Sequence, residues 1–570
     1  MLAMLHFVWR VAIPVLATDA LHDDWRQNFF WLTQVRAGVD FAGTDPLTRY
    51  ARDFQPPVLA WAYEQLARVV DPERLAKLVG LALIPGFAVA LWRLGEHVSP
   101  RSAFAPLLVT LGFLDVAWIR EMAGGLSRSF APPLQIGVVA CVAAECWWAA
   151  AALVALGGLL HPQSMLLGAT VLLVGWLRAA RRAPRARTRL ALLRAAAPVA
   201  TAALVAGVLA LVDVEHARAV QGRFGPFLSR AEILESIDYG PGGRFRNEHP
   251  QNLVIEAART LALHLGVPEE VLVRVPPFAP AGPQLAWALG FLGATGIVLE
   301  ALRRGSRARW RDVPWFVPAC VAIAAAWNVA AWLLLPRLYF PRRFLGTLVP
   351  LAAFGTIAWL ADRALARIAT SPSPVPRRAA LATLILLAAL ASVRFGGERA
   401  GYRIERSGYA GVAKFLAAQP LAMRYAASPR GDADTLIALV PRRIFVASEI
   451  SHPLFREYLE RTVRPRTRLV TRALFPEDPF GDLGALRAAG VDLLVARRRD
   501  LGWTELPASF AYEPIRSEVS AYWDREHRAA RDALWASFTP ATIAYQDEAF
   551  VVFDLRRVDF RSRPSGEPRP

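Results

Sequence analysis

The chain has 570 residues, 54% of them hydrophobic, with a mean hydropathy of +0.29 and a formal net charge of +18. That is too apolar for an ordinary soluble protein and fits a multi-pass membrane protein with a soluble part. The charge does not indicate nucleic acid: the basic residues gather at membrane edges, no zinc-finger spacing or basic-aromatic stripe occurs, and the arginine bias (Lys77 and Lys414 are the only lysines) follows base composition.

Leu2 to Ala17 reads as a short first transmembrane helix rather than a signal peptide, because it lacks a basic start and Arg10 interrupts it. A spanning helix needs about 20 mostly apolar residues. Further candidates are Leu75 to Leu94, Ala103 to Ile119, Pro132 to Trp147, Trp148 to Leu160, Ser164 to Leu177, Leu192 to Val212, Gln284 to Leu302, Val313 to Leu335, Phe344 to Leu360 and Ala379 to Val393. The expected fold is therefore an α-helical multi-pass membrane protein of about eleven spans over residues 1–395. The pair between Pro132 and Leu160 is short for two passes, and one long helix or a re-entrant pair is the alternative.

Three loops are densely basic: Arg178 to Arg194, Arg303 to Arg311 and Asp362 to Arg378. Eleven passes put all three on the cytoplasmic side, as the positive-inside rule asks. The same count puts outside the acidic first loop (19–74), the His161 turn, a long loop (213–283) and the C-terminal part. Within the long loop, Leu253, Ala257, Leu261 and Leu265 repeat on one face, the pattern of an interfacial helix. The three cysteines, Cys141, Cys146 and Cys320, lie in apolar stretches and form neither a disulfide framework nor a metal pattern.

After Arg394 the composition turns charged and mixed. Residues 400–558 read as an extracytoplasmic α/β domain. Thr435 to Val440, Ile444 to Ala447, Val491 to Ala496 and Phe550 to Leu555 are expected strands; Tyr409 to Ala418, Pro453 to Thr462 and Leu483 to Ala489 are expected helices. Asp432 and Asp434 are expected to cap or solvate the turn before a strand. Residues 559–570, rich in Arg, Pro, Ser and Gly, read as a disordered tail.

The chemistry-bearing residues crowd the external face. The first loop carries Asp23, Asp24, Asp45 and Asp53 among Trp25, Phe29, Phe30, Trp31 and Tyr50. Glu121 sits with Arg120 and Arg128 in a turn containing Gly124 and Gly125. His161 opens a His-Pro-Gln turn, and a second such turn carries His249. Arg337, Arg342 and Arg343 share one short external turn, a costly placement unless something anionic is near. Arginine suits phosphate because its planar fork makes bidentate hydrogen bonds; contact with ordinary lipid headgroups is the alternative. For Glu121 the alternative is an ion pair with Arg120 and Arg128, and for His161 a satisfied imidazole in a turn.

A short first helix, an acidic first external loop, many spans and a C-terminal extracytoplasmic domain resemble the layout of the GT-C glycosyltransferases. The nearest in layout are the protein O-mannosyltransferase and lipid A aminoarabinose transferase types. The resemblance covers most of the chain by layout, but by motif only Asp23-Asp24 and, loosely, Glu121 and His161. It implies transfer of a sugar from a polyprenyl-phosphate donor to a glycan, lipid or protein acceptor outside the cytoplasmic membrane of a bacterium. It also implies Asp23 or Asp24 as general base, with Glu121 the second acid; the alternative is a solvated, capping acidic pair. Attack by a hydroxyl on a sugar carbon needs such a base, and the phosphate leaving group needs cations such as Arg128, Arg337, Arg342 and Arg343, with His161 near donor or acceptor. The scattered first-loop acids could hold a divalent ion, but they form no D-x-D, so no cofactor is expected. Two other classes compete. A transporter or flippase would need ionisable residues at membrane depth, for which Asp115 and Glu145 are candidates. A non-catalytic polysaccharide-assembly factor would use the C-terminal domain for binding.

Overall fold

The computed structural model describes residues 12–182, 188–235, 313–370 (except 336 and 339), 401–428, 432–447, 454–501 and 515–558, and the single residues 257, 260, 264, 450 and 560. The chain divides into two compact units. One comprises Met1–Thr18, Ala76–His216 and Phe245–Gly401; the other comprises Asp19–Leu75, Ala217–Arg244 and Tyr402–Pro570.

The first unit is helical. Its helices are α1 (Pro72–Val98, whose first turn belongs to the second unit), α2 (Phe104–Leu114), α3 (Val116–Ala123), α4 (Ala131–Ala143), α5 (Trp147–Leu160), α6 (Pro162–Arg182), α7 (Thr188–Phe224, which belongs to the second unit from Ala217 on), α8 (Phe316–Leu333) and α9 (Leu348–Thr370). Among the described residues, five segments are long and apolar enough to cross a membrane: Pro72–Val98, Pro162–Arg182, Ala196–Phe224, Phe316–Leu333 and Pro341–Arg363. Leu204, Val208 and Leu211 stay exposed on α7, the expected state for side chains that face lipid. The protein is thus a helical membrane protein. The expected spans Gln284 to Leu302 and Ala379 to Val393 lie outside the described residues, as do most of Leu2 to Ala17, His249 and the tail after Asp559, apart from Phe560.

The stretch from Pro132 to Leu160 forms two helices, as expected, parted by Glu145 at a φ of 56°. Each is about 20 Å long at 1.5 Å per residue, short of a bilayer core of about 30 Å. The expected span Ala103 to Ile119 breaks at Asp115, whose extended backbone ends α2 and whose carboxylate caps α3. The long loop expected from 213 starts later, because α7 runs on to Phe224. Helices α4, α5 and α6 pack closely through small residues; a Cβ at Gly175 would run into Val142 Cγ1.

Helix order sorts the turns onto two ends. At one end Asp362 accepts from the Ala103 amide at 2.8 Å, and Arg178 lies over the Trp315 ring at 4.9 Å. These are described parts of two of the basic loops. The opposite end collects the turns α3–α4, α5–α6 and α8–α9. There Ser127 Oγ donates to the Leu160 carbonyl (2.7 Å) and Gln163 Nε2 to the Leu338 carbonyl (3.0 Å).

The second unit joins the first loop to the C-terminal part. Its main sheet has the order β4-β3-β5-β7-β6, with β3 (Arg424–Ala426), β4 (Arg443–Ile444), β5 (Leu493–Arg497), β6 (Ile543–Gln546) and β7 (Phe550–Asp554). β3 runs parallel to β4 and β5; β7 runs antiparallel to β5 and β6. Leu474, Leu483, Leu494, Val519, Leu534 and Phe553 are among its core residues. β1 (Leu21–His22) pairs with β2 (Tyr402–Ile404), so the first loop is bonded to the C-terminal part. Thr33 Oγ1 donates to the Ala438 carbonyl at 3.0 Å. Tyr50 stacks on Tyr458 with centroids 4.2 Å apart, and the Leu228 amide donates to the Leu454 carbonyl. The loop's Trp25, Phe29, Phe30, Trp31 and Tyr50 are all buried and serve as core.

The expected strand Thr435 to Val440 is instead the helix Asp432–Leu439. Asp432 to Ala438 are all buried, so no polar face breaks the run and period alone could not tell helix from strand. Asp432 and Asp434 sit buried in its first turn, not solvated. The expected strand Ile444 to Ala447 keeps only Arg443–Ile444. The helix expected from Pro453 begins at Arg456 and continues through Leu474, with a π-turn at Leu459–Val463.

Candidate functional site

In the membrane unit the site is built around α3. Asp115 caps it, accepting from the Ala117 amide at 2.8 Å and the Trp118 amide at 3.2 Å. The helix ends at Gly124 and Gly125. Gly125 has φ +61°, and a Cβ there would lie 2.9 Å from the Ala76 carbonyl oxygen, so only glycine lets this turn press against α1. A 3₁₀ turn, Ser127–Phe130, follows. Ser129 Oγ accepts from the Leu126 amide and donates back to the Glu121 carbonyl. This fold-back sets Arg128 Nε 3.5 Å from Glu121 Oε1. The ion-pair alternative for Glu121 is therefore present, with Arg128 as partner.

His161 ends α5 and is buried. Gln135 Nε2 donates to Ser164 Oγ (3.0 Å), and Ser164 Oγ lies 2.8 Å from His161 Nδ1. With the serine oxygen accepting from Gln135, its hydrogen goes to Nδ1 and the ring proton stays on Nε2. Burial, then the charges of Arg343 and Arg128, push the imidazole down to about 3. At neutral pH His161 is an uncharged donor flanked by two cations.

The α8–α9 turn brings Arg343. Its guanidinium lies 5.3 Å from the Phe340 ring centroid. The turn is pinned by Gln163 to Leu338, by Trp118 Nε1 donating to the Gly346 carbonyl (3.1 Å), and by Trp327 stacked on Phe344. Arg342 is half-buried and Arg337 exposed on the same turn. The structure thus brings together Glu121, Arg128, His161 and Arg343 from three turns at one end of the unit. Three chemical capacities meet: two guanidinium groups for an anion, a neutral N–H donor, and one carboxylate.

Asp23 and Asp24 belong to the other unit, in the first turn of the helix Asp23–Asn28. Asp23 Oδ1 accepts from Arg26 (2.8 Å) and Gln27 (3.3 Å), and Arg26 is buried. Asp23 is therefore the counter-ion of a buried arginine. Asp24 is half-buried beside it, its carbonyl accepting from Asn28. Among the described residues no group of three or more metal-ligating side chains occurs.

Sequence reasoning missed a polar cluster beyond the carboxyl ends of β3 and β5. Arg497 Nε reaches Asp432 Oδ1 at 2.6 Å, Tyr409 donates to the same oxygen at 2.9 Å, and Arg497 also donates to the Tyr409 hydroxyl. Ser428, Arg497 and Asp500 line a small crevice there. Burial, with Asp432 nearby, raises the Asp500 carboxyl to about 6. Asp432 reads in the sequence as a capping or solvated residue, because its partners come from distant segments and leave no local pattern. No family model matches the chain, and no curated protein matches it in sequence.

Proposed function

We propose that the protein is an integral membrane glycosyltransferase of GT-C type, moving a sugar from a polyprenyl-phosphate donor to an extracytoplasmic acceptor. The observation that carries this reading is the neutral His161 flanked by the charges of Arg128 and Arg343, with Glu121 paired to Arg128. A lipid phosphate meets bidentate guanidinium donors and an imidazole N–H in such a site, and these hold the charge that grows as the glycosidic bond breaks. Glu121 keeps the arginine pair from carrying uncompensated charge. In this reading the cluster faces the extracytoplasmic side, the basic loops face the cytoplasm, and the unit with the α/β sheet lies outside. An aspartate of the first loop takes the acceptor's proton. That aspartate is Asp23 or Asp24.

The test is transfer of radiolabelled sugar from polyprenyl phosphate to envelope acceptors by full-length protein in nanodiscs. Removing one donor to a developing oxyanion typically costs about 100- to 1,000-fold, so Arg343→Gln and Arg128→Gln are expected to lose that much. Unchanged transfer in both would refute the reading. A second reading, a proton-coupled transporter, is favoured by one observation: the buried Asp115–His264 pair at the break between α2 and α3.

A further inference from the structure

Asp115 is fully buried, and its two oxygens do different things. Oδ1 caps α3. Oδ2 meets His264 Nδ1, and that imidazole is itself 6% exposed. The His264 ring stands edge-on to Trp118 at 5.5 Å, and Trp118 is held in turn by the edges of Phe87 and Phe354. All of these ring neighbours are uncharged, so Asp115 is the ionisable group that meets His264 among its described contacts. A capping carboxylate needs no histidine. An ionisable pair at a broken helix within a membrane unit marks a functional site.

A second observation points to a ligand. Ala257, Thr260 and His264 are helical and stand at the three- and four-residue spacing of one helix face. Thr260 is 5% exposed, and its Oγ1 has no hydrogen-bond partner among the described residues. Of the expected interfacial stripe Leu253, Ala257, Leu261 and Leu265, only Ala257, which is half-buried, lies among the described residues. A buried hydroxyl without a protein partner is ordinarily satisfied by a bound water.

We propose that Asp115, His264 and Thr260 form a proton-binding site in the membrane unit. Asp115 holds the ring proton on Nδ1, which leaves the Nε2 lone pair as the accepting atom. Thr260 Oγ1 holds the water that delivers the proton. On uptake an O–H bond of a hydrated proton breaks, an N–H bond forms at Nε2, and neutral water remains. The imidazolium charge is balanced by the Asp115 carboxylate. This goes beyond the glycosyl-transfer reading and needs no sugar donor.

The test uses full-length protein in lipid nanodiscs with 15N-labelled histidine, His264→Gln identifying the signal. The expected result for the unsubstituted protein is the Nδ1–H form with a free Nε2 lone pair, converting to imidazolium on acidification. A pH jump from 8 to 5, the range in which histidine ordinarily changes charge, then takes up about one proton fewer in His264→Gln. Thr260→Val is expected to shift the His264 Nε2 signal, and Asp115→Asn to lose the tautomer preference. An Nε2–H tautomer in the unsubstituted protein, or equal proton uptake with and without His264, would make the pair a structural clasp and overturn the proposal. Absence of sugar transfer would leave these readouts untouched.

Discussion

Replacing Tyr50 with alanine tests whether the first loop folds with the C-terminal part. Tyr50 is 1% exposed, stacks on Tyr458 with an interplanar angle of 4°, and meets the rings of Phe224 and Phe455 edge-on. These partners come from α7 and from the start of the Arg456–Leu474 helix, so one ring joins three distant segments. Deleting a buried aromatic side chain costs about 3–5 kcal/mol. In a unit of this size each kcal/mol moves Tm by about 2–4 °C. Tyr50→Ala is therefore expected to lower the melting of this unit by roughly 6–20 °C. Trp25 and Trp31, buried in the same unit, give a fluorescence signal for that transition in detergent-solubilised protein. Tyr50→Phe keeps the stacked ring and is expected to retain most of the stability. A shift under about 2 °C for Tyr50→Ala, less than 1 kcal/mol by the same conversion, would refute the packing of this loop.

The Asp500 carboxyl, raised to about 6, holds its proton more tightly folded than unfolded. Stability from it is complete below about pH 4, falls as pH rises through 6, and the loss persists above. Two pKa steps correspond to about 3 kcal/mol, cut to about 1–2 by partial solvent access. Asp500→Asn is expected to raise Tm at pH 7 and leave it unchanged at pH 4; equal shifts at both would contradict this. His161, depressed to about 3, has the opposite sign: its folded form rejects the proton, so stability is full above about pH 6.5 and drains as pH falls. His161→Gln is expected to remove about 2 kcal/mol of the loss between pH 7 and 5, measured by thermal melts at the two pH values. An unchanged acid sensitivity would show that His161 is not the buried neutral group described. Gly125→Ala places a Cβ 2.9 Å from the Ala76 oxygen at positive φ and is expected to cost about 1–3 kcal/mol; a neutral effect on Tm would rule out that close approach.

Membrane character was legible because long apolar runs need no tertiary information. The basic loops were legible for the same reason, and helix order places the described parts of two of them at one end. The turn residues Glu121, Arg128, His161 and Arg343 could each be picked out locally. Their meeting could not, because it depends on Gly125, Ser129 and Gln163 fixing the turns. The break at Asp115 was hidden inside an apolar run, and His264 was hidden one position off an apolar stripe. The helix Asp432–Leu439 was mistaken for a strand because burial on every side erases the period that distinguishes the two. In the first loop the aromatics stand among the acids with no local sign of what they pack on; they are core, and β1 pairs with a strand some 380 residues on.

The most direct measurement is the binding of polyprenyl phosphate alone to the full-length protein, by native mass spectrometry from nanodiscs. Two bidentate guanidinium contacts, each worth about 1.5–3 kcal/mol as charged hydrogen bonds, imply a loss of at least about 100-fold in affinity for Arg128→Gln/Arg343→Gln. Neutral lipids should bind that variant as they bind the unsubstituted protein. Equal affinity of both proteins for polyprenyl phosphate would contradict the assignment of this cluster to a lipid-linked donor.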